Sequence, residues 1–205
     1  VKSSILTEMS LPTGDSFLIQ IMDGAFAEAA EKAGKNLVCK QGCTQCCHGA
    51  FAVSPLDALR LHSGMEKLRE TQPELAAEVK HRAGMWVVEH GPSFPGDVET
   101  GLLGNSPEER ERFENFANYA ACPALDRATG RCDVYAWRPM TCRVFGPPVR
   151  MGDGSALAHC ELCFKGASQE EVAACEMTVP YDLEAELLDE IPAKGETVVA
   201  FALLG

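Results

Sequence analysis

The stretch "CKQGCTQCCHGA", residues 39–50, places Cys39, Cys43, Cys46 and Cys47 within a single short loop, the last two adjacent. Packing alone does not call for this spacing. Thiolates two or three residues apart can bend around one ion or one face of a cluster, because a tight turn brings their sulfurs together. Structural zinc and iron–sulfur clusters both use such loops. Cross-linking is the other use of clustered thiols. Adjacent Cys46 and Cys47 point in divergent directions, so the two serve different jobs.

Beyond this loop come Cys122-x9-Cys132-x9-Cys142, then Cys160-x2-Cys163 and Cys175, making ten cysteines in 205 residues. That exceeds ordinary usage yet falls short of a small disulfide scaffold. "VKSSILTEMSLPTG" has no basic segment followed by an apolar one, so no signal peptide is expected. The expected compartment is then the reducing cytoplasm, where clustered thiols bind metal more often than they form stable disulfides. Cys160-x2-Cys163 has half a zinc-knuckle spacing, and its nearness to the other cysteines adds it to the candidate ligands. Cys175, on an apparent helix, reads as a small buried hydrophobe. His48 and His159 adjoin cysteines but read as hydrogen-bonded or solvent-facing. A Cys46 or Cys47 nucleophile with His48 as base is disfavoured, because sequence neighbours seldom meet in that geometry.

A chain of this length buries roughly 70% of its unfolded surface, so its core needs no staples. Its net charge is −12, from 30 acidic and 18 basic residues. Such a surface repels phosphate backbones and anionic lipid, arguing against nucleic-acid and membrane partners. Residues 131–150 break the trend, setting Arg131, Arg138, Arg143 and Arg150 against Asp133 alone. Four thiolates on Zn²⁺ or on a [4Fe-4S]²⁺ core leave a net charge of about −2, which is costly to bury unless cations or amide donors offset it. Arg138 and Arg143 are therefore the cofactor-binding candidates. Ordinary pairing with surface carboxylates is the alternative reading.

Phe17–Ala33 reads as an amphipathic helix, with Phe17, Ile21 and Ala25 beside Leu18, Met22 and Phe26 on one broad face. Ser54-Pro55 supplies an N-cap and an N1 proline for a second helix, with Leu56, Leu59, Met65 and Leu68 inward. A third runs from Pro73 to about Glu89, and Gly- and Pro-rich residues 90–105 form a loop. Ser106 to Glu109 is a capping box opening a helix to about Tyr119. From Cys122 to His159 the helical period gives way to short strands and turns, with Gly152-Asp153-Gly154 as a hairpin tip. Ser168 to Glu171 caps a short helix around Cys175, and "YDLEAELLDEI" gives a last helix. Its acidic residues, Asp182, Glu184, Glu186, Asp189 and Glu190, form a solvated face.

"CKQGCTQCC" followed by "ACPALDRATGRCDVYAWRPMTCRVF" resembles the CxxCxxCC family, a zinc- or iron-chelating domain. Its Cys-Pro-x-Leu, Gly-x-Cys, Arg-Pro and Cys-Arg elements are matched by Cys122-Pro123-Ala124-Leu125, Gly130-Arg131-Cys132, Arg138-Pro139 and Cys142-Arg143. The resemblance covers 39–146. It departs from the pattern in a first gap of three residues and in Thr44, where glycine is frequent. It implies metal ligation by Cys39, Cys43, Cys46, Cys47, Cys122, Cys132 and Cys142. The family's cysteine motif is also similar to that of flagellin lysine N-methylase, which admits methyl-transfer or redox chemistry. C-x3-C-x2-C is the spacing of radical S-adenosylmethionine enzymes too, although their larger alternating strand–helix barrel has no counterpart here.

The expectation is a mainly α, metal-stabilised protein with a small irregular β-containing, cysteine-rich insert. It forms a single domain over 1–205: a helix at 16–34, a metal-binding region at 39–146 and an extension at 147–205. An iron–sulfur cluster of the 4Fe-4S type is the expected cofactor, because adjacent cysteines are awkward ligands for one small tetrahedral ion. Zinc in a non-catalytic binding module is the alternative. Protein and small-molecule partners are left open.

Overall fold

A computed structural model describes residues 9–150 and 157–205, so the expected Gly152-Asp153-Gly154 hairpin tip lies outside the described residues. In chain order the first four helices are α1 (Asp15–Ala33), α2 (Pro55–Thr71), α3 (Pro73–His90) and α4 (Pro107–Glu114). They are followed by α5 (Met140–Val144), α6 (Gln169–Ala174), α7 (Tyr181–Asp189) and α8 (Val199–Leu204). Three two-residue antiparallel ladders and four short 3₁₀ turns complete the described regular structure. The ladders pair β1 (Gly96–Asp97) with β2 (Leu102–Leu103), β3 (Leu125–Asp126) with β4 (Arg131–Cys132), and β5 (Val149–Arg150) with β6 (Leu157–Ala158). The fold is mainly α with small β elements, as the sequence predicts. Among the described residues no helix is long and apolar enough to cross a membrane.

Two compact units share the chain: Gly42–Pro139 with Ile191–Gly205, and Pro12–Gln41 with Met140–Glu190. In the first, α2, α3 and α8 pack together. Ser54 Oγ accepts the Asp57 amide and Pro55 opens α2, as expected from Ser-Pro. Pro73 excludes the α region for the residue before it. Gln72 accordingly sits at φ −145°, ψ 67°, ending α2 and starting α3 in one step. Leu61, Met65 and Leu68 of α2 meet Val79 and Ala83 of α3 and Ala202 and Leu203 of α8 in one core. Cys122, Cys132 and Trp137 pack against that core, so the irregular insert rests on the helices.

Helix α8 was not anticipated. "VVAFALL" is apolar on every side and buried, so it carries no two-faced period to read. Thr197 anchors its approach, exchanging backbone hydrogen bonds of 2.8 and 3.0 Å with Val53 and donating its hydroxyl to Gly101 O at 2.6 Å. The Ser106–Glu109 capping box is present, but α4 stops at Glu114 rather than near Tyr119. Ala117, at φ 51°, adopts a left-handed conformation that no continuing helix accepts. Phe113 and Phe116 turn instead into an aromatic cluster with Trp86, Phe94 and Phe201.

In the second unit, α1 buries Leu18, Met22, Ala29 and Ala33, while Phe17 is 59% exposed and lies off the expected face. The Ser168–Glu171 capping box forms as predicted, and Cys175 caps the C-terminus of α6. Cys142-Arg143, expected in strand and turn, lies on the short helix α5. "RCDVYAW" likewise gives only the two strand residues of β4 before a 3₁₀ turn over Tyr135–Trp137.

Gly64 of α2 explains how that turn is seated. A Cβ there would meet Trp137 Cγ at 2.6 Å, so the indole lies directly on the helix backbone. Alanine in place of a helical glycine normally stabilises by about 1 kcal/mol. Gly64→Ala is instead expected to destabilise by about 1–3 kcal/mol through overpacking. Urea denaturation checks this, and a gain in stability would refute the contact.

Candidate metal centre

The first unit draws several cysteines together by backbone hydrogen bonds. Gly42, at φ +89°, lets the chain pass close to Gly130, where a Cβ would lie 3.0 Å from Gly42 Cα. A tight turn follows, with the Cys47 amide on Thr44 O at 2.8 Å and His48 Nδ1 3.0 Å from the same carbonyl. The chain then runs antiparallel to residues 120–122 through a bridge pairing His48 with Ala121. The Gly49 amide donates to Ala120 O at 2.9 Å, and the Cys122 amide to Cys47 O at 2.8 Å. Farther along, Leu125 pairs with Cys132 across the β3–β4 ladder, and the Asp133 amide donates to Ala124 O at 2.9 Å. Cys46 and Cys47 thereby join Cys122 and Cys132 in one neighbourhood: Cys46 and Cys47 share a hydrogen bond, and Cys47, Cys122 and Cys132 each feel the charge of other sulfurs in the set.

That neighbourhood treats the sulfurs unequally. The Cys47 thiol hydrogen-bonds the Cys46 sulfur; with the Cys46 amide, Arg138 and His48, this overcomes burial and lowers the Cys46 pKa to about 6. The same hydrogen bond, together with burial and the charges of Cys46, Cys122 and Cys132, pushes the Cys47 thiol far up. Burial pushes Cys122 up to about 12, although the Ala124 and Leu125 amides bond its sulfur and favour the thiolate. Cys132 is likewise raised by burial and eased by the Val134 amide and Arg138. Turns of this kind, aiming amides at sulfur, orient and stabilise metal-bound thiolates. Arg138 reaches the site from Pro139's doorstep, its guanidinium 4.0 Å above the Tyr135 ring and its Nη1 on Tyr135 O at 2.9 Å. Cys43 lies half-buried in the same loop.

Arg82 of α3 escaped sequence reasoning. Its Nε donates to Pro123 O at 2.8 Å and its Nη2 to Asp133 Oδ2, tying together the residues that follow Cys122 and Cys132. The only local hint was an arginine facing a helix's inner side; its partners lie far along the chain.

The remaining cysteines belong to the second unit. Cys160, Cys163 and Cys175 are buried in one apolar cluster with Ala33 and Phe164. The Cys163 amide turns back onto Cys160 O at 2.9 Å, and the Phe164 amide reaches Asn36 O at 2.8 Å. Cys39, classed among the exposed residues, sets its sulfur against Gly146, where a Cβ would lie 2.8 Å away; Gly146 stands at φ +128°, a glycine conformation. Gly146 O in turn accepts the Cys160 amide at 3.2 Å. Cys142 lies on α5, whose buried Arg143 donates to Asp23 of α1 at 2.7 Å. His159 hydrogen-bonds Cys160 O through Nδ1 and packs on Phe164, so both cysteine-flanking histidines are held by hydrogen bonds.

Among the described residues, no three His, Cys, Asp or Glu side chains are posed as a ready ligand set. The first unit thus offers a convergence of donors rather than a finished coordination shell. Its chemistry fits a thiophilic metal. All the converging donors are sulfur, amides are aimed at three of them, and one guanidinium offsets their charge. Zn²⁺ and the irons of a cluster suit such donors, whereas Ca²⁺ and Mg²⁺ require oxygen.

Two outcomes are expected. In metal-free protein, alkylation of Cys46 by iodoacetamide, read by peptide mass spectrometry, should fall to half-maximal near pH 6, with Cys47 and Cys122 inert at neutral pH, because only the thiolate attacks. Equal labelling of all three would refute the asymmetry. Arg82→Leu should weaken metal binding about 10–100-fold in chelator competition, the usual effect of losing an outer partner, with Arg82→Lys intermediate.

Neither a curated protein nor a solved structure shows significant similarity to the chain. One family model matches residues 38–163, described as a "putative zinc- or iron-chelating domain". The match extends past the 39–146 region anticipated from the motifs and takes in Cys160 and Cys163. Membership supports metal binding and leaves zinc and iron both open. With more than half of its length matched, the chain belongs to the CxxCxxCC family.

Proposed function

We propose that this chain is an iron–sulfur protein with a redox or S-adenosylmethionine-linked role, acting in the reducing cytoplasm without nucleic-acid or membrane partners. The observation that carries this reading is an all-sulfur donor set beside an open cleft. Thr44, His48, Ala121 and Leu125 line a cleft of about 420 Å³; the first three are chain neighbours of Cys43, Cys47 and Cys122, and the Leu125 amide bonds the Cys122 sulfur. A purely structural zinc site is closed and requires no adjoining space. When bound, a cluster would supply one-electron chemistry or an open iron for a cofactor.

In this reading Cys46, Cys122 and Cys132 hold the metal with Cys43 or Cys47, and the amides of Ala124, Leu125 and Val134 stabilise the bound thiolates. Arg138 offsets their charge, and Arg82 keeps the Cys122 and Cys132 turns in register. Cys39, Cys142, Cys160 and Cys163 are candidate ligands in the second unit, with Arg143 beside Cys142. The second reading, a zinc-stabilised binding module, is favoured by one feature: Cys122 and Cys132 pack directly on the helical core, as a staple would.

Protein purified without oxygen decides between the two. About four iron and four acid-labile sulfide per chain, with broad absorption near 400 nm, is the expected result. S-adenosylmethionine titration then separates a cofactor-binding cluster from an electron carrier. Stoichiometric zinc without sulfide or colour would overturn the cluster reading and leave the module.

A further inference from the structure

The geometry points to the open cleft of the first unit as a binding site for a small organic anion carrying a flat ring. Its volume of about 420 Å³ falls in the range of small-molecule sites. Thr44, His48, Tyr119, Ala121, Leu125 and Arg127 line it. No carboxylate is among them, although the chain carries 30 acidic residues and a net charge of −12. The cleft is thus a local positive exception on a negative surface, which admits a small anion while the wider field repels a polyanion.

Two of the lining groups, Arg127 and Tyr119, make no side-chain contact that serves the fold among the described residues, and a third, His48, keeps one ring nitrogen uncommitted. Arg127 makes no hydrogen bond or ion pair among the described residues. Its neighbour Asp126 is engaged within its own turn, accepting the Ala128 amide at 2.9 Å and the Thr129 hydroxyl, and so does not neutralise it. A guanidinium in this state offers a bidentate fork to carboxylate or phosphate oxygens. Tyr119 is 94% exposed and makes no ring contact among the described residues, an uncommon setting for so large an aromatic surface. Its face can stack a planar group, and its hydroxyl can reach a polar edge. His48 has only its Nδ1 side committed, to Thr44 O. The floor is fixed, since the backbone bonds of Gly49 to Ala120 and Cys122 to Cys47 join the two walls. Arginine and ring supply complementary contacts, one for the charge and one for the flat body of the same ligand.

This inference names a ligand class for the cleft and does not depend on which metal the sulfurs hold. The test uses full-length protein at measured metal content, titrated calorimetrically with benzoate, phenyl phosphate, inorganic phosphate and cyclohexanecarboxylate. Saturable binding of benzoate or phenyl phosphate is expected, and the stronger of the two identifies carboxylate or phosphate as the anion. Arg127→Ala should weaken it at least tenfold, and Arg110→Ala, an exposed arginine outside the cleft, should leave it unchanged. Tyr119→Ala should weaken the ring-bearing probes at least fivefold while leaving inorganic phosphate unaffected, and should erase their advantage over cyclohexanecarboxylate. If Arg127→Ala also loses metal, Tyr119→Ala decides, because its ring supports nothing else. Absence of saturable binding, or equal losses in Arg127→Ala and Arg110→Ala, would overturn the proposal. Iron and sulfide with no anion binding would spare the cluster reading and sink this one. Zinc with anion binding would do the reverse.

Discussion

Sulfur donors repel one another once ionised, so whatever gathers them must be paid for by other bonds. Here the work falls to the backbone. The Cys122 amide on Cys47 O joins two stretches remote in sequence, and the β3–β4 ladder sets Cys132 opposite Leu125. Arg82 then locks the two downstream turns through Pro123 and Asp133. Without these bonds, burial and mutual charge would drive the sulfurs apart. With them, proximity is fixed before any ion arrives, and the chain accepts raised pKa values at Cys47, Cys122 and Cys132 as the cost of it. Cys46 is the member of this set whose pKa is lowered, to about 6. A cation entering this set must therefore displace protons from the remaining ligands, which couples its affinity steeply to pH.

Much of the helical frame was legible because it depends on local chemistry. Ser106 and Ser168 meet their glutamates three residues on, and Ser54-Pro55 caps α2, all through bonds that close within one turn. Legibility failed where the deciding contact was distant. Helix α4 ends early because Phe116 is drawn into the cluster of Trp86 and Phe94, and α8 hides because its burial leaves no polar face. The cysteine spacings identified the chemistry but not the grouping. That Cys46 and Cys47 join Cys122 and Cys132 is set by the bridge of His48 to Ala121, which no spacing rule contains. Arg82 was silent for the same reason: a backbone carbonyl and an aspartate far along the chain give it its role.

The two groups of cysteines live in different chemical settings. Those that converge in the first unit are half-buried, with amides and Arg138 opposing the penalty of burial at sulfur. Cys160, Cys163 and Cys175 are enclosed by Ala33, Leu37 and Phe164 in an apolar cluster. The family match reaches Cys163 and leaves Cys175 outside it. The same residue type thus sits among polar donors in one place and in an apolar cluster in another, and tertiary surroundings rather than spacing set the difference.

The strap formed by Thr197 and α8 has a consequence for the birth of the protein. Val53 finds its partner only in residue 197, and the α2–α3 core lacks one wall until Ala202 and Leu203 are in place. On the ribosome, the loop bearing Cys43, Cys46 and Cys47 emerges long before the segment that completes the core beneath Cys122 and Cys132. The early thiols therefore spend translation without their scaffold, open to oxidation or to the wrong metal. Completion of the unit that carries these cysteines thus waits on synthesis of residues 196–204 rather than on appearance of the cysteines themselves.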